Sequence, residues 1–137
     1  MTISELVQHF TFHDSGVSSV EISEDEKTIS FKFELGNYMQ VGFRNGDPEI
    51  ITGTLRFNPV VQLEAIPDLQ FFQWGEDFDG EILKVSLLSN ALKNMNQGVE
   101  FVIHTIEYST KKRDVLVIRV FASNVEWIPN PVKGEIT

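Results

Sequence analysis

Ile29-Ser30-Phe31-Lys32-Phe33-Glu34-Leu35 changes from apolar to polar at every step. An extended backbone therefore puts Ile29, Phe31, Phe33 and Leu35 on one face and Ser30, Lys32 and Glu34 on the other, the pattern of a strand with a core on one side and water on the other. Upstream, Val17 to Ser23 alternates as well, with Val20 and Ile22 opposite Ser19, Glu21 and Ser23. The polar link Glu24-Asp25-Glu26-Lys27 joins the two runs, and together they read as a β-hairpin. Downstream, Gly36-Asn37 reads as a turn, Tyr38 to Phe43 as a third strand, Arg44-Asn45-Gly46-Asp47-Pro48 as a loop, and Glu49 to Phe57 as a continuation of the meander.

At the amino terminus Thr2 can cap a short helix over residues 3 to 9, because Ile3, Leu6, Val7 and Phe10 recur at helical spacing and Glu5 lies in the first turn. From Asn58 to Asp79 the period is lost, which predicts a long connection with a short helix and a flap of Phe71, Phe72 and Trp74 over one open side of the sheet. Glu81 to Leu88 resumes the strand pattern. Ser89 to Gly98 is polar, with Leu92 and Met95 spaced for one helical turn. Val99 to Tyr108 and Asp114 to Ile128 then flank the turn Ser109-Thr110-Lys111-Lys112-Arg113, and both are apolar on both faces, as expected of central strands covered twice. Pro129 and Pro131 end the last strand and predict a loosely held tail. The whole reads as one mainly β domain over residues 1–137, an antiparallel sandwich or partly closed barrel with one or two short helices.

Eleven Lys and Arg against twenty Asp and Glu give a formal charge of -9. Such a surface repels phosphate backbones and anionic lipid, which argues against nucleic acid and membrane and favours a basic protein partner. No cysteine is present, so disulfides and thiolate chemistry are excluded. The first ten residues lack a basic and then apolar signal pattern, and no apolar run approaches the ~18 residues of a membrane span. A cytoplasmic protein is expected.

Phe12-His13-Asp14-Ser15-Gly16 holds the side-chain types of a serine-hydrolase triad. Adjacent residues cannot place an imidazole between a hydroxyl and a carboxylate, and Gly-x-Ser-x-Gly spacing is missing, so no catalytic residue is assigned. A turn is the simpler reading: Asp14 and Ser15 accept backbone hydrogen bonds, Gly16 supplies a permissive φ, Phe12 anchors the segment, and His13 is partly buried. His13, Asp14 and Ser15 are kept as candidates for contact with a ligand or partner. His9, His13 and His104 lack zinc-site spacing, and Glu76 to Glu81 fails the EF-hand pattern because Ile82 stands where Gly is required, so neither metal nor cofactor is expected. Trp74, Asp77 and Asp79 lie in the aperiodic middle, where a binding surface is expected.

The run Phe12 to Val17, with Val20-Glu21-Ile22 and the hairpin Thr28-Ile29-Ser30-Phe31-Lys32-Phe33, resembles small bacterial domains of unknown function that carry an amino-terminal Phe-His-Asp-Ser or Phe-His-Asp-Ala segment. Some of these are classed as immunity proteins of polymorphic-toxin systems. The resemblance implies a cytosolic bacterial protein that acts by binding, without cofactor or catalysis. The leading expectation is thus a non-enzymatic recognition protein. The alternatives are a carbohydrate-binding or small hydrolase domain using acids near Trp74, and a self-associating structural protein in which a homo-oligomer covers the two-faced strands.

Overall fold

The computed structural model describes residues 1–88 and 97–130. The alternating stretch forms β2 (Ile29–Gly36), with Ile29, Phe31, Phe33 and Leu35 buried and Lys32 and Glu34 exposed. Strand β1 (Gly16–Ile22) pairs on one side of it and β3 (Ile50–Phe57) on the other. The chain continues through β4 (Val60–Ile66), β5 (Phe78–Leu88), β6 (Gln97–Glu107), β7 (Lys112–Ala122) and β8 (Val125–Pro129). All eight strands belong to one antiparallel sheet in the order β4-β7-β6-β5-β1-β2-β3-β8, which is not closed into a barrel. The expected mainly β, antiparallel class is the one observed.

The sheet is bent over on itself at a shared corner. Asn58-Pro59 separates β3 from β4 and Ser123-Asn124 separates β7 from β8. These corners bond to each other, the Asn58 N–H donating to the Asn124 carbonyl at 3.0 Å and the Ser123 N–H to the Pro59 carbonyl at 3.3 Å. Because β4 pairs with β7 and β3 with β8, the same two bent runs of chain form both ends of the sheet. One face must then turn inward, as in orthogonal sheet packing. Phe31 of β2 and Phe101 of β6 meet across the interior at 4.9 Å between ring centroids, and Phe57 packs on both.

Helix α1 (Ile3–His9) packs against β5 and β6 with Ile3 and Leu6 buried. The Thr2 hydroxyl accepts the Glu5 N–H, and the Glu5 carboxylate accepts the Thr2 N–H, both at 3.1 Å, a reciprocal capping box. The Ser4 N–H donates to the Gln97 side-chain carbonyl at 2.9 Å, which ties the helix to the start of β6.

Four expectations need correction, the first being the single strand Asp114 to Ile128, which the Ser123-Asn124 corner divides into β7 and β8. Tyr38 to Phe43 is no strand: Asn37–Met39 is a 3-10 turn followed by loop. Side-chain bonds take the place of a ladder there, with the Gln40 amide donating to the Thr11 and Gly36 carbonyls and the Asn37 amide to the Pro48 carbonyl. Within Asn58 to Asp79 lies β4, whose alternation is hidden by a register shift between Val60 and Gln62; the expected short helix is the 3-10 turn Leu69–Phe71. Finally, β6 and β7 are central but covered once. Their inner residues Phe101, Ile103, Leu116, Ile118 and Val120 are buried, whereas outward-facing Val115 is 48% exposed. The proposed helical turn at Leu92 and Met95, and the tail beyond Asn130, lie outside the described residues.

Candidate functional site

The amino-terminal turn is built around Phe12, which is buried against Phe10, Phe33 and Phe101. The Ser15 N–H closes the turn on the Phe12 carbonyl at 2.9 Å, and Asp14 takes a φ of 61°. That left-handed conformation was expected of Gly16, which has no positive φ; Asp is among the few other residues that adopt it readily. Among the described residues the Asp14 carboxylate accepts no backbone N–H, in contrast to the expected turn bond. It lies 3.5 Å from the His13 Nε2, and His13 is exposed rather than partly buried. Ser15 is fully buried: its Oγ accepts the Gly36 N–H at 3.3 Å and its carbonyl accepts the Ile82 N–H at 2.9 Å. Ser15 therefore stitches the end of β2 to β5, while His13 and Asp14 face solvent.

The acidic run opens β5 after the tight turn Gly75 to Phe78. Asp77 accepts the Ser109 N–H at 2.8 Å and the Ser109 hydroxyl at 2.6 Å, and its carbonyl accepts the Tyr108 N–H. Asp79 accepts the Tyr108 hydroxyl at 2.8 Å. That bond to an anion raises the phenol above its ordinary value, with desolvation and the charges of Asp79 and Glu34 adding to it. Both carboxylates thus brace the β6–β7 hairpin against the start of β5. Trp74 is half-buried, set edge-on to Phe78 at 5.0 Å and tilted against Phe72. Phe72 and Trp74 pack on the core as a flap would, but Phe71 does not; it is 73% exposed.

Turn and acidic run are neighbours across the seam where β1 meets β5, because Gly16 pairs with Glu81 and Val17 with Gly80. Cross-strand partners share a face. One outward row therefore runs Glu34, Gly16, Glu81, His104, Val115, and the next Asp79, Ile106, Arg113. Beside them the rows Ile66, Val117, Val102, Lys84 and Glu64, Arg119, Glu100, Ser86 complete an outer face on which the apolar side chains Ile66, Val102, Ile106, Val115 and Val117 stand among charged and polar ones. Arg119 bridges Glu100 at 2.7 Å and Glu64 at 3.3 Å, and its guanidinium is raised by these bonds, that to Glu100 foremost.

A cavity of about 340 Å³ opens at the mouth of the bent sheet. Phe71, Phe72 and Phe78 wall it, Thr105 lies within, and Glu107, Lys112 and Asp114 stand at its rim. Sequence reasoning missed this groove. Its signal is the inward-facing series Phe101, Ile103, Thr105, Glu107 along β6, paired with Ile118, Leu116, Asp114, Lys112 along β7, which turns polar where the core ends.

Among the described residues no group of three or more His, Asp or Glu side chains is arranged to hold a metal ion. No helix among them is long and apolar enough to cross a membrane. No family model matches the chain, and neither a curated protein nor a solved structure does.

Proposed function

We propose that this is a non-enzymatic, cytoplasmic recognition protein that binds a basic protein partner on the outer face of β4, β7, β6 and β5. The observation that carries the reading is the apolar surface formed by Ile66, Val102, Val115 and Val117, with Ile66 61% and Val115 48% exposed. Interface centres are built from such residues, with charge at the rim. The carboxylates Glu34, Asp79 and Glu81 border this face, and the chain's charge of -9 adds to their field, so the complementary surface is an apolar patch ringed by Lys and Arg. His13 and Asp14, exposed at the head of β1, extend the rim. An immunity-like role, implied by the resemblance of the amino-terminal segment, fits the same surface. A carbohydrate site at Trp74 has less support, since that ring packs edge-on with Phe78 instead of lying open for stacking.

Copurification from the native host tests the reading. A basic protein retained by the native chain should be lost, with at least about tenfold weaker binding, in Val115→Asp and Val117→Asp, and kept in Ser30→Asp and Thr54→Asp on the polar outer face of the other strands. Equal retention by all four variants would reject this face. A dimer that persists in high salt and dissociates in Val117→Asp would instead establish self-association, and carbohydrate-dependent thermal stabilisation lost in Trp74→Ala would establish the sugar reading.

A further inference from the structure

We infer that the mouth groove receives an arginine side chain presented by that partner, an inference that rests on the reading of the chain as a protein-binding domain and names the chemistry recognised. The groove combines what a guanidinium requires. Phe71 offers the most exposed aromatic ring among the described residues, with Phe72 and Phe78 behind it 5.5 Å apart. Aromatic faces attract cations, and the planar guanidinium stacks on them while its N–H groups remain free to donate. Acceptors stand at the rim. Among the described residues the Asp114 carboxylate has no hydrogen bond or ion pair; the Thr105 hydroxyl donates to the Asp114 backbone carbonyl, at 3.3 Å. Glu107 accepts the Thr110 hydroxyl on Oε1 at 2.6 Å, and among the described residues its Oε2 has no partner.

Lys112 is the opposing charge. It is the cross-strand partner of Glu107, yet the two form no ion pair within 4.0 Å, so the carboxylates stay open to an incoming cation. With two carboxylates and one ammonium the rim carries a net negative charge, in the same sense as the whole molecule. A neutral aliphatic side chain would fill the aromatic wall but bring neither charge nor N–H donors to Asp114 and Glu107, which stay hydrated, so the preference for a cation comes from cation–π attraction and charge-assisted hydrogen bonds. Groove and outer face meet at the end of β4, where exposed Ile66 is followed by Pro67 of the groove wall. One partner can therefore span both.

The test uses the full chain, labelled for amide NMR, titrated with Nα-acetyl-arginine amide and with its neutral counterpart Nα-acetyl-norleucine amide. The arginine probe should shift amides at 67–78 and 105–114, and its affinity should fall roughly two- to fivefold in Phe71→Ala and again in Asp114→Asn. Both residues are exposed, so matching melting curves will show that the variants fold. Equal shifts with norleucine, shifts that map elsewhere, no shifts, or an affinity unchanged in both variants would overturn the inference. A small probe reads the groove alone: its failure leaves the outer-face proposal standing, and loss of a partner in Val117→Asp with the groove still binding arginine leaves this one standing.

Discussion

In the half of the sheet made by β1, β2, β3 and β8 the outward rows read Glu21, Ser30, Arg56, Glu126 and Ser19, Lys32, Thr54, Ile128. In the half made by β5, β6, β7 and β4 they read Lys84, Val102, Val117, Ile66 and Glu81, His104, Val115, flanked by Asp79, Ile106, Arg113 and Ser86, Glu100, Arg119, Glu64, so that valine and isoleucine side chains stand outside among the charges. The inner faces do not differ in this way: Val17, Phe31, Leu55 and Val125 of the first half and Ile82, Phe101, Ile118 and Val120 of the second are all buried. An antiparallel sheet needs one apolar face, and the first half folds with its other face polar. The fold therefore does not require Val102, Val115 and Val117 on the outside, and in the proposed reading they are the contact for the partner.

Both halves share one core, and breaking that core has the largest expected effect. Phe31→Ala and Phe101→Ala each remove a ring from the cluster that joins β2 to β6, at a cost of about 3–5 kcal/mol. Urea unfolding followed by tryptophan fluorescence and by far-UV circular dichroism should move together in both variants. Two separated transitions would mean that each half carries its own core.

Next in size is the seam. Ser15→Ala leaves the buried Gly36 N–H without its acceptor and should cost about 1–3 kcal/mol, whereas His13→Ala, a few atoms away but exposed, should stay within about 0.5 kcal/mol. An Ala Cβ at Gly80 would stand 2.5 Å from the Ile103 Cγ2, so Gly80→Ala overpacks the same seam at a cost of about 1–3 kcal/mol. Thermal melts rank the three. If His13→Ala costs as much as Ser15→Ala, the turn is held by its imidazole and the assignment of Ser15 as the stitch fails.

The two halves also differ in how far the sequence reveals them. Strand β2 alternates without interruption and β1 nearly so, and each forms where periodicity places it because a single buried face leaves a period of two. In β4 the shift between Val60 and Gln62 hides that period, and in β7 and β8 one expected strand is divided by the Ser123-Asn124 corner, where the run changes partner from β4 to β3. Apolar residues on both faces of β6 and β7 identify central strands but do not say whether the second face is covered. At the candidate site, Phe12 as an anchor was legible from hydrophobicity alone. That Ser15 accepts a backbone N–H was legible too, but its burial and its donor were not, since Gly36 is distant in sequence and its approach depends on the pairing of β1 with β2. Asp77 and Asp79 as braces depend likewise on which hairpin lies beside β5.

Ion pairs offer a smaller contrast. Arg119 lies between Glu100 and Glu64 on the outer face that carries the exposed valines, and Arg56 pairs with Glu126 on that of the other half. Apart from Glu100, which is 20% exposed, all are substantially exposed, so Arg119→Met and Arg56→Met should each change stability by less than about 1 kcal/mol. Denaturation in low and high salt checks this. A larger, salt-sensitive loss in Arg119→Met alone would mean that charge, more than apolar area, organises the outer face of that half.

The smallest expected effect is local and set by pH. The Glu5 carboxyl on α1 is held below its ordinary value of 4.5, first by the Thr2 backbone N–H and then by the Thr2 hydroxyl. In the other half the Asp25 carboxyl, in the β1–β2 turn, is held below 3.8 by the Ser23 hydroxyl and then by the Lys27 N–H. A carboxyl depressed in the folded state contributes stability above its unfolded value and loses it as pH falls through the folded one. Acid should therefore loosen the α1 cap in a window that begins near 4.5, and the hairpin turn in one that begins near 3.8. Side-chain NMR titrations of Glu5 and Asp25, read with the amide shifts of Thr2 and Lys27, follow the two events. In Glu5→Gln the Thr2 amide should lose its acid response while that of Lys27 keeps its own. A response of Thr2 that survives the substitution would trace the acid sensitivity of α1 to its docking on β5 and β6 instead of to its cap.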